Sequence, residues 1–72
     1  MFLSVVIPTF NEEMRISGTV SRVIEYLSAQ DYQWEIVVAD DGSIDQTTRL
    51  VELKLVDYPN IRILNLPHRG KG

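Results

Sequence analysis

The chain predicts an α/β fold of βαβαβ order, with three parallel strands and two helices, and three observations carry that prediction. Short runs rich in valine and isoleucine alternate with stretches whose apolar residues recur at helical spacing. Each apolar run ends in a polar, proline-bearing or glycine-bearing loop. Strands alternating with helices over short connections imply parallel strands joined by right-handed crossovers, the opening half of a doubly wound sheet.

Residues 3–7 are rich in β-branched types, Val5, Val6 and Ile7, and end at Pro8, so they are a strand. The stretch from Met1 to Ile7 lacks a basic flank and is too short to span a bilayer, which favours a buried strand over a membrane anchor. Val20, Val23, Ile24 and Leu27 then fall at i, i+3, i+4 and i+7, one face of an amphipathic helix. Asn11 could cap an early first turn bearing Glu12 and Glu13, or Ser17 could cap a helix that begins after Arg15 and Ile16; Ser17 is the expected cap.

Residues 34–39 are a second strand, nearly continuous in apolar residues, as expected when helices cover both faces of a sheet. Asp40-Asp41-Gly42-Ser43 is a turn, and Ser43 with Gln46 makes a capping-box pattern that opens a second helix with Ile44, Thr48, Val51 and Leu55 as its buried stripe. Pro59 stops that helix, and residues 61–64 supply a third strand before Pro67 and Gly70-Lys71-Gly72.

Composition narrows the function. At 72 residues the chain can bury only a small core, while 44% apolar and 24% charged residues are those of a globular protein and not of a disordered one. A net charge of −3 argues against a nucleic-acid binder, which needs a basic excess to displace counterions from the phosphates. The absence of cysteine removes disulfides and thiolate zinc sites and fits a reducing compartment, so a cytoplasmic location is expected.

In such sheets ligands lie beyond the carboxyl ends of the strands, so chemistry is expected in the loops 8–13, 40–45 and 67–72. Asp40 and Asp41 can accept hydrogen bonds from a nucleobase imide or ribose hydroxyls, or cap the turn without any ligand. They could also hold a hard cation, although two ligands are few and neighbouring strand side chains point to opposite faces. Pro8, Thr9 and Phe10 offer a fixed backbone, a hydroxyl and a ring that could lie against a base or simply pack. Glu12 and Glu13 could reach a ligand hydroxyl or serve a helix dipole. Arg69-Gly70-Lys71-Gly72 could cradle phosphate, but it is not a P-loop, and no dinucleotide fingerprint is present. His68 has no visible partner for nucleophilic or general-base work and reads as a loop residue.

Taken in order, residues 5–13, residues 37–47 and Arg69-Gly70-Lys71-Gly72 resemble the opening of family 2 glycosyltransferases with the GT-A fold, and the likeness covers nearly the whole chain. Asn11-Glu12-Glu13 followed by Arg15-Ile16, with Gly70-Lys71-Gly72 later, looks most like the dolichyl-phosphate glucosyltransferase branch and its prokaryotic polyprenyl-phosphate relatives. The resemblance implies that Pro8, Thr9, Phe10, Glu12, Asp40 and Asp41 help hold the nucleotide of a UDP-sugar, or of a GDP-sugar in the mannosyl branch. Lys71 would lie near the nucleotide or its diphosphate. It further implies transfer of a hexose, with UDP-glucose the expected donor, to a polyprenyl or dolichyl phosphate. A divalent cation, Mg2+ or Mn2+, would be held by an Asp-x-Asp motif on a later strand.

That motif is absent here, so residues 1–72 are expected to be a partial, amino-terminal GT-A domain with no catalytic residue and no metal ligand of its own. The full enzyme is expected at the cytoplasmic face of a membrane. Two other readings use the same half-sheet: a nucleotide-binding or interaction module without transferase chemistry, and a structural fragment. The isolated chain is expected to be marginal in stability and to self-associate through its sheet edges.

Overall fold

A computed structural model describes residues 1–66. Their elements run β1 (Phe2–Thr9), α1 (Ile16–Ser28), β2 (Gln33–Asp40), α2 (Thr47–Leu55) and β3 (Ile61–Asn65). The three strands form one parallel sheet in the order β1-β2-β3, with Val5 opposite Ile36 and Ile36 opposite Ile61 at its centre. The expected βαβαβ order and parallel pairing are therefore present. No helix among the described residues is long and apolar enough to cross a membrane.

Sequential strand order has a geometric consequence. Right-handed crossovers that add strands in one direction place both helices on the same face. The core accordingly forms on that face: Ile16, Val20, Ile24 and Leu27 of α1 and Val51 of α2 pack with Ile36, Val38 and Ile61 of the sheet. Full burial of a residue of this size contributes about 1.5–3 kcal/mol. Leu3, Val5, Ile7, Trp34 and Ile63 extend the same layer.

The expectation that helices cover both faces is thus corrected for the described residues. Phe2, Val6 and Leu64 lie on the opposite face and are exposed. Val37 is largely buried there because it is on the central strand, between Val6 and Arg62, and not because a helix covers it. A polar ladder crosses this open face, with the Ser4 hydroxyl donating to Glu35 at 2.7 Å and Arg62 meeting the same carboxylate at 3.3 Å. Among the described residues β1 and β3 form the two edges of the sheet.

Both predicted helix starts move. Ser17 lies inside α1 instead of capping it, and the residue before the helix, Arg15, makes no side-chain cap. The Glu12 carbonyl accepts the N–H groups of Arg15 and Ile16 at 2.9 and 2.8 Å, so a tight turn over residues 12–15 leads directly into the helix. α2 begins at Thr47, later than a Ser43 cap would place it. Its buried residues are Thr47 and Val51, while Ile44 precedes the helix and is 90% exposed.

Candidate functional site

In the sheet register Thr9 lies opposite Asp40 and Asp40 opposite Asn65, so the three strands end side by side. The ladder runs slightly further: Asp41 N–H donates to the Thr9 carbonyl at 2.9 Å, and Leu66 N–H to the Asp40 carbonyl at 2.7 Å. The loops 10–15 and 41–46 therefore leave the sheet as neighbours. Residues 67–72 follow β3, and the predictions made for Lys71 and the basic cluster of His68, Arg69 and Lys71 fall outside the described residues.

The first two loops are joined by reciprocal hydrogen bonds. Asn11 N–H donates to the Ser43 hydroxyl at 2.8 Å, and Ile44 N–H returns a bond to Asn11 Oδ1 at 2.9 Å. Glu12 N–H donates to the Thr47 hydroxyl at 2.7 Å, and Glu13 N–H to Asp45 Oδ2 at 3.2 Å. Gln46 N–H donates in turn to Glu13 Oε1 at 2.9 Å. The start of α2 is thus capped partly by the first loop and partly by Asp45, whose Oδ1 accepts the Thr47 N–H at 2.9 Å and also the Thr47 hydroxyl. Asn11 holds a left-handed backbone with φ of 51°, a conformation asparagine tolerates better than most residues, and Gly42 turns the second loop at φ of 77°.

The predicted site residues separate into two groups. Asp40 is 2% exposed and Thr9 is 4% exposed, and they meet each other, the Thr9 hydroxyl donating to Asp40 Oδ1 at 2.7 Å. Pro8, Phe10 and Asp41 are exposed, and Glu12 is half-buried with its carboxylate held by Arg15 at 2.6 Å. Pro8, Thr9 and Glu12 also line a hollow of about 330 Å³ between β1 and α1, with Arg15, Thr19 and Arg22 on its far wall. That volume is at the lower end of the range that small-molecule sites occupy. Among the described residues no group of three or more His, Cys, Asp or Glu side chains could hold a metal ion.

The sequence alone points to the carboxylates and the ring but not to the bonds between loops. Asn11, Ser43 and Thr47 join segments more than thirty residues apart, and no local pattern reveals such pairing. One signal was available: an aspartate two residues before a threonine, Asp45 and Thr47, is the spacing at which a carboxylate accepts a backbone N–H and closes a turn.

Two of these carboxyls should govern behaviour in acid. Burial alone raises the Asp40 pKa, but the hydroxyls of Ser43 and Thr9 and the N–H groups of Ser43 and Gly42 outweigh it and hold the group below its ordinary value. For Asp45, desolvation again raises the pKa, and bonds from the Thr47 hydroxyl, the Thr47 N–H and Glu13 bring it below its ordinary value. A carboxyl depressed in the folded state stabilises the fold fully above the unfolded aspartate pKa of about 3.9, and this contribution is lost as pH falls through the folded value. Thermal melts are expected to show a Tm that drops below about pH 4, with Asp40→Asn losing part of that acid dependence. A Tm indifferent to acid in the unaltered chain would contradict this account.

The Glycosyl transferase family 2 profile matches residues 4–72. The chain is 41% identical to the dolichyl-phosphate beta-glucosyltransferase of Saccharomyces cerevisiae, the likeness covering 100% of this chain and 24% of that protein. It is 38% identical to the dolichyl-phosphate beta-glucosyltransferase ALG5A of Trichomonas vaginalis, covering 100% of this chain and 24% of the relative. Among solved structures, the mannosyltransferase PcManGT from Pyrobaculum calidifontis, in complex with GDP-Man and Mn2+, superposes with a TM-score of 0.77 at 27% identity, over 97% of this chain and 21% of that one. S. aureus TarS 1-349 in complex with UDP gives a TM-score of 0.69 at 35% identity, over 96% of this chain and 20% of that one. The chain thus spans about a quarter of the length of the curated relatives it matches.

Proposed function

The chain belongs to glycosyltransferase family 2, and we propose that it supplies the nucleotide-binding half-site of an enzyme that moves a hexose from a UDP-sugar, UDP-glucose first, to a dolichyl or polyprenyl phosphate. The observation that carries this reading is the register placing Thr9 opposite Asp40, which puts the loop of Pro8, Phe10 and Glu12 beside that of Asp41. In parallel sheets, ligands are bound at such strand ends. The hexose and the acceptor are those in the names of the dolichyl-phosphate glucosyltransferases that all of this chain resembles, and UDP is the nucleotide in the S. aureus TarS structure that superposes on it.

In this reading Asp41 accepts hydrogen bonds from the base or ribose, and Phe10 lies against the base. Pro8 fixes the backbone that leads to Phe10. Glu12, oriented by Arg15, reaches a ribose hydroxyl, and Lys71 meets the diphosphate. The described residues do not suit a cation: no three His, Cys, Asp or Glu side chains among them come together, and donors from Thr9, Ser43 and Gly42 already occupy the Asp40 oxygens. A divalent cation is therefore assigned to residues elsewhere in the whole protein, where it would stabilise the departing diphosphate. In this reading the whole enzyme acts at the cytoplasmic face of a membrane, which a lipid acceptor such as dolichyl phosphate favours.

A second donor is favoured by one specific observation, since the mannosyltransferase that superposes on this chain carries GDP-Man. Titrating the chain with UDP and separately with GDP, with and without Mg2+ or Mn2+, and following amide shifts by NMR distinguishes the two. Localised shifts at residues 9–12, Asp41 and Lys71, stronger for UDP and little changed by metal, are expected. A stronger response to GDP would reassign the donor. No localised response at millimolar nucleotide would remove the half-site reading.

A further inference from the structure

We propose that Asp40 is a positioning residue that locks the first two loops into one rigid unit, with Ser43 as its relay to Asn11, and that it does not itself touch the nucleotide. The functional half of this assignment rests on the half-site reading above; the structural half rests on the loop geometry alone.

Asp40 has little left to offer a ligand. Its Oδ1 accepts the Thr9 hydroxyl at 2.7 Å and the Ser43 hydroxyl at 2.6 Å, and its Oδ2 accepts the Ser43 N–H at 2.8 Å. The residue is 2% exposed. These groups, like the Gly42 N–H, all donate, so the position requires a group that only accepts, which an ionised carboxylate does and an amide does not. By accepting the hydrogen bond from the Ser43 hydroxyl, Asp40 turns the serine lone pairs outward, and one of them accepts the Asn11 N–H at 2.8 Å. Asn11 closes the ring through its own Oδ1, which accepts the Ile44 N–H at 2.9 Å.

The residue so held is the one that needs holding. Asn11 has a backbone φ of 51° and stands between Phe10 and Glu12, so its conformation sets where both side chains leave the loop. At the end of β2, Asp40 immediately precedes Asp41, the first residue of the other loop, whose N–H is tied to the Thr9 carbonyl at 2.9 Å. One buried carboxylate therefore fixes the spacing between the proposed contacts on the two loops. This is the preorganisation that a ligand would otherwise have to impose at a cost in affinity.

The test uses the whole chain, isotope-labelled, as the unaltered protein and as Asp40→Asn, Ser43→Ala and Ser43→Thr. Amide hydrogen exchange is read at Asn11 and Ile44 against Val38 in β2, and UDP and GDP affinities are measured on the same samples. Asp40→Asn and Ser43→Ala are each expected to speed exchange at Asn11 and Ile44 about tenfold relative to Val38 and to weaken UDP about tenfold, the equivalent of one hydrogen bond. The ratio of UDP to GDP affinity should stay unchanged, and Ser43→Thr, which keeps the hydroxyl, should restore both readouts. The double variant should be no worse than the weaker single one, because both break one chain of bonds.

Weakened UDP with exchange unchanged at Asn11 and Ile44, or a shifted UDP-to-GDP ratio, would make Asp40 a direct contact and overturn the proposal. If Asp40→Asn does not fold, Ser43→Ala decides by the same criteria. Released amides in a chain whose unaltered form shows no response to nucleotide would uphold the lock and remove the half-site reading alone.

Discussion

Replacing Ile36 by alanine is expected to unfold the chain. Ile36 is fully buried at the middle of the central strand, paired with Val5 on one side and Ile61 on the other, and it packs in the cluster that both helices share. Removing a side chain of this kind costs about 2–5 kcal/mol, through lost transfer energy and the cavity left behind. A single core in a chain this small rarely supplies more than about 3–5 kcal/mol, so the loss is of the same size as the whole stability. Dispersed amide resonances and a cooperative melt should vanish in Ile36→Ala. Ile36→Val, which costs about 0.5–1.5 kcal/mol, should keep both at a lower Tm. A cooperatively folded Ile36→Ala would show that the fold does not depend on this one layer.

The same position shows why the strands were legible in the sequence. Leu3, Val5, Ile7, Ile36, Val38 and Ile61 declare themselves by type and by the turns that bound them, which is local information. Parallel pairing followed from the helical stretches between them. Coverage was not legible, because an apolar run such as Ile36-Val37-Val38 looks alike whether a helix covers the second face or neighbouring strands shield it. The helix starts failed for a different reason. Ser43 had a local use, capping its own helix, and a distant one, reaching Asn11 across 32 residues while bonded to Asp40. Only the register that brings Thr9 to Asp40 makes the distant use available, and there the charged acceptor wins. With Ser43 engaged, Asp45 and Glu13 take over the amino end of α2, and the helix starts at Thr47.

This division of labour within Asp40-Asp41 makes the second large expectation specific to one of two adjacent, chemically identical residues. Asp41→Asn is expected to weaken UDP by about 10- to 150-fold, the range for losing a hydrogen bond to a charged acceptor of about 1.5–3 kcal/mol. Its stability should fall less than that of Asp40→Asn, because Asp41 is exposed where Asp40 is buried, and its tie to Thr9 is made by the backbone N–H, which the substitution keeps. Asp40→Asn should do the reverse in kind: it should lower Tm and relax the loops, with affinity falling as a consequence and in parallel for every nucleotide. Measuring Tm and UDP affinity on both variants separates a contact from a support. If Asp41→Asn binds UDP as tightly as the unaltered chain while remaining folded, the base and ribose are held by other groups, and the role assigned to Asp41 in the half-site is wrong. If Asp41→Asn loses affinity with its Tm intact, the exposed carboxylate is the ligand-facing member of the pair and the buried one is what keeps it there.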